Sequence, residues 1–474
     1  MASKKKKNSS GIIKALVAVA VVLIAVSGFL FAKDYYQRQS VLAKVSQTPG
    51  STPSGDDISE TPTNSAVVSV DRKLVVGETD LTGVSLSDAR ATLAQSEQSL
   101  RDSAQFTIIY GDQTWTISPE EIEFSSDWEQ VLEKAYAEGE DGTYEITHAV
   151  TIPKLDEIIA SIAAQIDVEP QNATVAAYDE TTKTFTFNDD IQGAKVDQEQ
   201  LKYKIEAAAV ELDFSTAIEV DVITTDAQYT SDYMQENFVL MGSYTTTAKN
   251  DSARNNNIKL ALEAFNGRIL QPGEEFSFNG TTGERTTDKG YKVAGVILDG
   301  ASGEDVGGGV CQVSSTLFNA VVRAGLEITE RYPHTYPSDY ISAGMDAMVN
   351  WPDKDLKFVN SSSAEIYFVT AFDTSTRELT VDIYGIPIYP VDVKVDLRSE
   401  RYEYISQPED IITLNDQMYV DEVAVTRKGR AGSKWRTYRQ FFDSEGNLLY
   451  EEELCTSVYY ALANRLVVGT MIRE

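Results

Sequence analysis

An uncharged apolar run near the N-terminus constrains this chain more than any other feature of its sequence. Residues 15–32 (ALVAVAVVLIAVSGFLFA) carry no charged side chain and follow the four lysines at positions 4–7. At 1.5 Å rise per residue, a helix of this length is near the shortest that crosses a bilayer core of about 30 Å. Ile12 and Ile13 lengthen the helix if the Lys14 side chain extends back to the membrane surface. The run therefore predicts a transmembrane anchor.

The lysines also predict the orientation of this anchor. Because they precede the apolar run, and only Lys33 follows it closely, the N-terminus is expected inside the cell. We expect a basic cytoplasmic tail at residues 1–11, the anchor at residues 12–32 and the rest of the chain outside the cytoplasm. A cleaved signal peptide is the alternative, but Leu30 stands where cleavage after Ala32 would favour a small residue.

Composition describes the part beyond the anchor. Residues 33–66 are rich in Ser, Thr, Pro, Gly and Asp, which cannot bury enough apolar surface to fold, so we expect a disordered stalk. The chain has 73 acidic and 41 basic residues, a net charge of −32. Nucleic-acid binding is excluded because it needs a basic surface. With only two cysteines, Cys311 and Cys455, stability must come from ordinary cores.

Residues 67–225 show an approximate internal repeat. The first copy predicts a helix after Ser87, a hairpin (FTIIY, QTWTI) around Gly111 and Asp112, and a helix that ends at Gly139. The second copy predicts a helical stripe at residues 155–166, strands ATVAAY and TFTF, a helix at 201–212 and the strand AIEVDVI. Both copies read helix, hairpin, helix, which predicts an α+β unit used twice.

The layout of this region, with the stretches TWTISPEEI and GAKVD, resembles the peptidoglycan-binding domain that accompanies some L,D-transpeptidases. The resemblance implies peptidoglycan as a partner. The alternative is a spacer without a ligand, because no titratable residues gather into a site here.

Residues 226–385 contain the most distinctive motifs. Asn255–Asn257 precede an expected helix that ends at Asn266-Gly267, and PGEEFSFN follows. Next come GGGVCQVSST, which leads into a second helical pattern, then RYPH, GMDA and DLKFVN. In this order the motifs closely match the VanW family, first named from vancomycin-resistance gene clusters. The match implies an α+β domain with a cell-envelope role, binding peptidoglycan or its precursors. Wall-synthesis proteins are further expected partners, and envelope maintenance or glycopeptide resistance is the expected role.

Cys311 is the strongest candidate nucleophile. A Gly-rich turn places it at a helix N-terminus, where free amides and the helix dipole stabilise a thiolate. His334 follows 23 residues later, and either Asp346 or Asp339 could orient it. These residues form the minimum set for a Cys-His-acid acyl-transfer site, an arrangement similar to papain-like peptidoglycan endopeptidases.

A second group of residues is expected to bind the ligand. Its members surround Cys311: Gly307, Gly308, Gly309, Gln312, Ser314 and Ser315. A ligand site without catalysis and a purely structural motif, with Cys311 as a small buried apolar residue, remain open alternatives. No metal-ligand spacing is present and no cofactor is expected.

Residues 386–474 alternate apolar and polar residues in several runs, which predicts a small all-β module. The module resembles the domain named for its glycines on wall proteins that bind N-acetylglucosamine, with matching positions at Gly429, Gly432, Gly446 and Gly469. Gln417 and Cys455 depart from that pattern. The fold class is therefore α+β multidomain: a transmembrane helix, a repeated α+β domain, a VanW-like α+β domain and the β module.

Overall fold

The computed structural model describes residues 72–298 and 301–473. The expected tail, anchor and stalk lie outside the described residues, which begin at residue 72. Among the described residues, no helix combines the length and apolar character needed to cross a membrane. The described residues within 73–81 and 89–473 belong to one compact unit. Its mixed helices and many small sheets confirm the α+β multidomain class.

The N-terminal region, residues 73–225, contains the predicted helices and hairpins. Its helices are α1 (Leu86–Ser103), α2 (Trp128–Glu138), α3 (Leu155–Ile166) and α4 (Gln198–Glu211), with a 3-10 turn at Pro119–Glu121. Its strands are β1 (Leu74–Val76), β2 (Thr79–Asp80), β3 (Phe106–Tyr110), β4 (Gln113–Ile117), β5 (Glu123–Ser126), β6 (Gly142–Tyr144), β7 (His148–Thr151), β8 (Thr174–Asp179), β9 (Thr184–Asn188), β10 (Gly193–Val196), β11 (Ile218–Glu219) and β12 (Val222–Thr225). α2 ends at Gly139, whose φ of +73° suits a residue without a side chain.

The main core of this region is shared between the two halves of the predicted repeat. Strand β11 from the second half pairs in parallel with β3 from the first, with Ile218 opposite Ile108. Phe106 and Ile108 are buried together with Leu201 and Ile205 of α4. A lone two-stranded hairpin is marginally stable, so the hairpin β3–β4 needs the helices of the other half to cover its apolar face.

The central region, residues 226–385, forms around one long buried helix. Its helices are α5 (Ser231–Asn237), α6 (Ser252–Glu263), α7 (Phe278–Thr282) and α8 (Val310–Arg323), with a 3-10 turn at Thr287–Lys289. Its strands are β13 (Val239–Thr247), β14 (Ile269–Leu270), β15 (Glu275–Ser277), β16 (Val293–Leu298), β17 (Ala301–Val306), β18 (Glu327–Glu330), β19 (Lys357–Val359), β20 (Ile366–Phe372) and β21 (Glu378–Gly385). Helix α8 packs on β13 and β21 of the four-stranded sheet β13-β21-β20-β14.

The prediction that three asparagines precede α6 is wrong, because they lie inside the helix. Asp251 caps α6 by accepting hydrogen bonds from the backbone N–H groups of Ala253 and Arg254, at 3.0 and 3.1 Å. Asn257 is fully buried, and its amide donates to the carbonyls of Lys292 and Gly308. The asparagine therefore ties α6 to the glycine turn before Cys311.

The C-terminal region, residues 386–473, consists of strands in two three-stranded sheets. They are β22 (Lys394–Ile405), β23 (Ile411–Tyr419), β24 (Val423–Arg427), β25 (Gly432–Phe442), β26 (Leu448–Tyr459) and β27 (Arg465–Met471). The sheet β22-β25-β26 packs against the central core through Leu397, Leu454 and Cys455. This contact brings the β module to the candidate site.

Candidate active site

Cys311 is the second residue of α8. The helix begins after Gly309, whose φ of +108° is a conformation that favours glycine. The residue as a whole is partly exposed and packs against the core, and its Sγ lies 3.3 Å from the carbonyl oxygen of Val349, to which the protonated thiol donates. The predicted position at a helix N-terminus is confirmed.

The three glycines before Cys311 allow close packing around the turn. A Cβ at Gly307 would lie 2.9 Å from the Cβ of Arg285, and one at Gly309 would lie 2.8 Å from the Cγ of Arg254. A Cβ at Gly308 would lie 2.6 Å from the carbonyl oxygen of Ala294. Each distance is shorter than a carbon side chain tolerates, so the run of glycines is explained by neighbours that approach from three sides.

His334 lies beside Cys311 in the folded chain. It is 5% exposed, and both its backbone N–H and its ring Nδ1 lie 2.6 Å from Oδ2 of Asp346. Because Nδ1 faces Asp346, Nε2 is the ring nitrogen that remains available to another group. His334 and Cys311 are close enough to affect each other's ionisation, so the fold brings Cys311, His334 and Asp346 into one region.

Asp346 is completely buried and fully hydrogen-bonded. Its Oδ1 accepts from the Tyr459 hydroxyl at 2.6 Å and from Nη2 of Arg331 at 3.2 Å, while Oδ2 accepts from His334. Arg331 is also buried, and its other nitrogens donate to backbone oxygens and to Ser457. A buried carboxylate is stable when it is paired in this way.

Asp339 was the alternative partner for His334, and the structure decides against it. Asp339 forms a 2.7 Å ion pair with Lys249 at the surface, and both side chains are well exposed. The pKa of Asp339 is lowered by that hydrogen bond to Lys249. Asp346 is the acid that contacts His334.

The pKa values of the three groups favour a charged pair. Burial alone lowers the pKa of His334, but its hydrogen bonds to Asp346 and Cys311 and their charges outweigh burial and raise the pKa to about 9. Burial raises the pKa of Cys311, yet the hydrogen bond and charge of His334 lower it overall. Burial likewise raises the pKa of Asp346, and its bond to His334 and the charge of Arg331 lower it overall. Thiolate, imidazolium and carboxylate therefore stabilise one another.

The side chains predicted to bind ligand next to Cys311 have partners within the protein. Gln312 is buried, accepts from Arg254 and donates to Thr246. Ser314 and Ser315 are fully buried and donate to the carbonyl oxygens of Cys311 and Ala347. The two serines therefore hold the GMDA segment against α8, and ligand binding by these side chains stays a prediction.

Several residues of the site escaped the sequence analysis. Arg331 directly precedes Tyr-Pro-His, so its position in that motif was a signal that it could lie beside the buried carboxylate. Tyr459 lies 113 residues beyond Asp346 in a different predicted domain, so no spacing signal pointed to it. Arg285 lies between Gly283 and Gly290 in sequence, and no sequence signal connects it with Cys311. Only the three-dimensional packing brings it to the glycine turn before Cys311.

The remaining chemistry is limited. Within residues 72–298 and 301–473, no cluster of three or more His, Cys, Asp or Glu side chains is arranged to hold a metal ion. Cys311 and Cys455 are both free thiols. The pKa of Cys455 is raised by burial, in contrast with Cys311.

Comparisons with known families support the two resemblances seen in the sequence. Residues 253–384 match the family model described as "VanW like protein", and residues 115–217 match "Putative peptidoglycan binding domain". The first match contains Cys311, His334 and Asp346 but ends before Tyr459. The suspected VanW-like architecture is therefore shown for the central region.

Two curated relatives match part of the chain. "Uncharacterized protein YoaR" from Bacillus subtilis is 46% identical over 127 residues, which cover 27% of this chain and 42% of that protein. "Vancomycin B-type resistance protein VanW" from Enterococcus faecalis is 35% identical over 112 residues, 22% of this chain and 40% of that protein. The chain thus spans about two fifths of the length of each relative. A solved structure titled "IgA1 Protease G5 domain structure" matches this chain with 22% sequence identity and a TM-score of 0.13. The match covers 17% of this chain and 93% of that structure's chain.

Proposed function

We propose that this chain is an envelope protein whose central region is a cysteine acyl-transfer enzyme acting on the peptide part of peptidoglycan. The observation that carries the proposal is the buried hydrogen bond between His334 and Asp346 beside Cys311. The carboxylate orients Nδ1 of the histidine, and His334 lowers the pKa of Cys311, which is how a histidine activates a nucleophilic cysteine.

The chemistry follows from the resting charges. The Cys311 thiolate attacks an amide carbonyl carbon, and the C–N bond breaks as His334 gives its proton to the leaving amine, which forms a thioester. Water or a second amine then attacks the thioester, and the neutral His334 accepts the proton of that nucleophile. Cleavage of the C–S bond restores the thiolate and the imidazolium. Asp346 keeps the imidazole oriented and stabilises its charged form throughout.

The wall as substrate is supported by the two family matches and not by the site geometry. The peptidoglycan-binding match at residues 115–217 would hold the enzyme on its polymer, and the VanW-like match connects the site with the envelope. We propose that the apolar run at residues 12–32 anchors the chain in the membrane with its described part outside the cytoplasm. There the protein could act in wall maintenance or glycopeptide resistance.

An alkaline phosphatase fusion after Ser65 tests this topology. The fusion should be active, and an inactive fusion contradicts the proposed location.

The enzyme proposal is tested by incubating the full chain with purified sacculi. The wild-type protein should change the muropeptide profile, and mass spectrometry of the denatured protein should detect an acyl adduct on Cys311. Cys311→Ala should abolish both signals, whereas the matched variant Cys455→Ala should retain them. An unchanged profile with every variant, or activity that survives in Cys311→Ala, refutes catalysis through this thiol.

Binding without catalysis is the second candidate, and the match at residues 115–217 favours it. In that case wild-type protein and Cys311→Ala would both remain on sacculi and leave the muropeptides unchanged. A control without sacculi should leave both proteins in the supernatant. If both proteins sediment with sacculi and no new muropeptides form, binding without catalysis is favoured over the enzyme.

A further inference from the structure

Arg285 is an arginine near Cys311 whose terminal nitrogens lack hydrogen-bond partners. Its Nη1 and Nη2 are both buried, and neither has a partner within the described residues. The guanidinium lies over the ring of Phe278, 5.6 Å from its centroid. Burial lowers the pKa of Arg285, but the group keeps its charge at neutral pH. Leaving two charged donors buried and unpaired costs stability, which raises the question of what they bind.

No neighbouring carboxylate among the described residues is hydrogen-bonded to the Arg285 guanidinium, and other arginines near the site are paired. Asp355, whose charge acts on Arg285, is already engaged with the Ser277 hydroxyl at 2.6 Å and with two backbone N–H groups at 2.8 Å. By contrast, Arg331 and Arg254 both donate their terminal nitrogens to protein oxygens. Arg285 differs from these arginines because both of its terminal nitrogens are unused.

The position of Arg285 is set by the turn that carries the nucleophile. Its Cβ and Cγ occupy the space beside Gly307, at 2.9 and 3.2 Å from where a Cβ would stand. Arg285 therefore packs on the turn that leads into Cys311, and the charges of the guanidinium and of the Cys311 thiolate stabilise each other. Paired N–H groups of a guanidinium fit the two oxygens of a carboxylate.

We propose that Arg285 is the specificity residue of this site and binds a free carboxylate of the substrate beside the bond that Cys311 attacks. This inference rests on the proposed function and narrows its substrates to peptides or amino-acid amides with a carboxylate close to the reacting carbonyl. Arg285 would bind the carboxylate through both terminal nitrogens, and the ring of Phe278 would hold the guanidinium in place.

Two small alkylating reagents test the carboxylate site without any wall substrate. Iodoacetate and iodoacetamide both transfer their CH2 group to a thiolate with loss of iodide, but only iodoacetate carries a carboxylate. The rates at Cys311 are measured by peptide mapping in the full chain, with Cys455 in the same molecule as reference. Arg285→Gln should lower the ratio of the iodoacetate rate to the iodoacetamide rate by about tenfold, since a charge-assisted hydrogen bond is lost.

Matched variants separate recognition from general electrostatics. Arg268 also stacks on a phenylalanine, Phe276, but its nitrogens are bonded to Thr281 and Glu274, so Arg268→Gln should leave the ratio unchanged. If Arg285→Gln slows both reagents equally, or leaves the ratio intact, the proposal is overturned. In the first case Arg285 serves only to stabilise the thiolate.

A competition experiment on the wild-type protein covers the case in which Arg285→Gln does not fold. N-acetylglycine should protect Cys311 from iodoacetamide, and N-acetylglycinamide, which lacks the carboxylate, should protect much less. Equal protection, or none, overturns the proposal. This result does not depend on muropeptide cleavage. If N-acetylglycine protects Cys311 selectively but the muropeptide profile of sacculi does not change, the Arg285 carboxylate site is retained and peptidoglycan is rejected as the substrate.

Discussion

The N-terminal and central regions are both α+β structures, but their interiors are of different kinds. The core around α3 and α4 is aliphatic and aromatic, from Phe106 to Val220. Among the described residues before position 246, the buried polar or charged ones are Ser85 and Glu97. The central region instead buries an aspartate, a histidine and several amides and hydroxyls along α8 and the segment that faces it.

This contrast separates what stabilises a fold from what prepares a site. Apolar burial stabilises each region without needing particular partners. A buried carboxylate is tolerated only when every oxygen is paired, and each partner must then be held in place. The central region carries that requirement, and its polar contacts converge on Cys311. In the N-terminal region the one buried carboxylate among the described residues, Glu97, is paired with Arg101 and does not belong to a larger buried polar network.

Removing the buried charge at the centre should have the largest effect. Asp346→Ala leaves Arg331 and His334 buried without their carboxylate, and we expect a loss of about 3–5 kcal/mol in the free energy of unfolding. Urea unfolding followed by circular dichroism measures the loss. Asp339→Ala is the control, because its exposed pair with Lys249 contributes less than about 1 kcal/mol. Equal effects of the two variants would show that the central network is no different from surface charge.

Removing one hydroxyl from the network should have a smaller effect. Tyr459→Phe deletes the hydrogen bond to Oδ1 of Asp346 and the acceptor for the Gly344 N–H, and we expect a loss of about 1.5–3 kcal/mol. The rate of alkylation at Cys311 should fall as well, because the carboxylate that orients His334 is less firmly held. If Tyr459→Phe unfolds at the same urea concentration as the wild type and Cys311 reacts at the same rate, the β module does not contribute to the site.

The two cysteines should respond differently to pH. The pKa of Cys311 is lowered by His334, whereas burial raises the pKa of Cys455. Between the lowered pKa of Cys311 and about pH 9, where His334 loses its proton, Cys311 remains a thiolate. At pH 6.5, iodoacetamide should therefore alkylate Cys311 at least about tenfold faster than Cys455, since an ordinary thiol is only about 1% ionised there. Equal rates at that pH would contradict the ion pair.

A core change in the N-terminal region should have the smallest effect and none at the site. Ile205→Val removes one methylene from a fully buried position of α4, at a cost of about 0.5–1.5 kcal/mol. The alkylation rate of Cys311 should not change. A change in that rate would show that the aliphatic core and the polar network are coupled, and the distinction between the two regions would fail.

The local elements of the fold were within reach of sequence reasoning because their signals are local. The strands FTIIY and QTWTI were predicted at the residues where β3 and β4 occur, since Gly111 and the alternating pattern define a hairpin. Helix α3 likewise spans the predicted stripe at 155–166. The shared core between the two halves was not predicted, because pairing of β11 with β3 joins residues about 110 positions apart.

The candidate site divides in the same way. The glycine turn and the helix after it placed Cys311, and a short separation in sequence suggested His334 and Asp346. The sequence left Asp339 as an equal alternative, and only the fold shows it at the surface with Lys249. Tyr459 and the free guanidinium of Arg285 were missed because their roles depend on long-range packing and on which hydrogen bonds remain unmade.

The bond between Tyr459 and Asp346 has a consequence for how this chain can be rearranged by recombination. The VanW-like match ends at residue 384, which suggests a domain boundary at which recombination could exchange the C-terminal module. The last residue of β26 nevertheless completes the surroundings of the acid. A chimera that replaces residues 386–474 with an unrelated module would inherit the thiol, the imidazole and the carboxylate while losing a donor to that carboxylate. The unit of inheritance for this site therefore extends beyond the VanW-like segment.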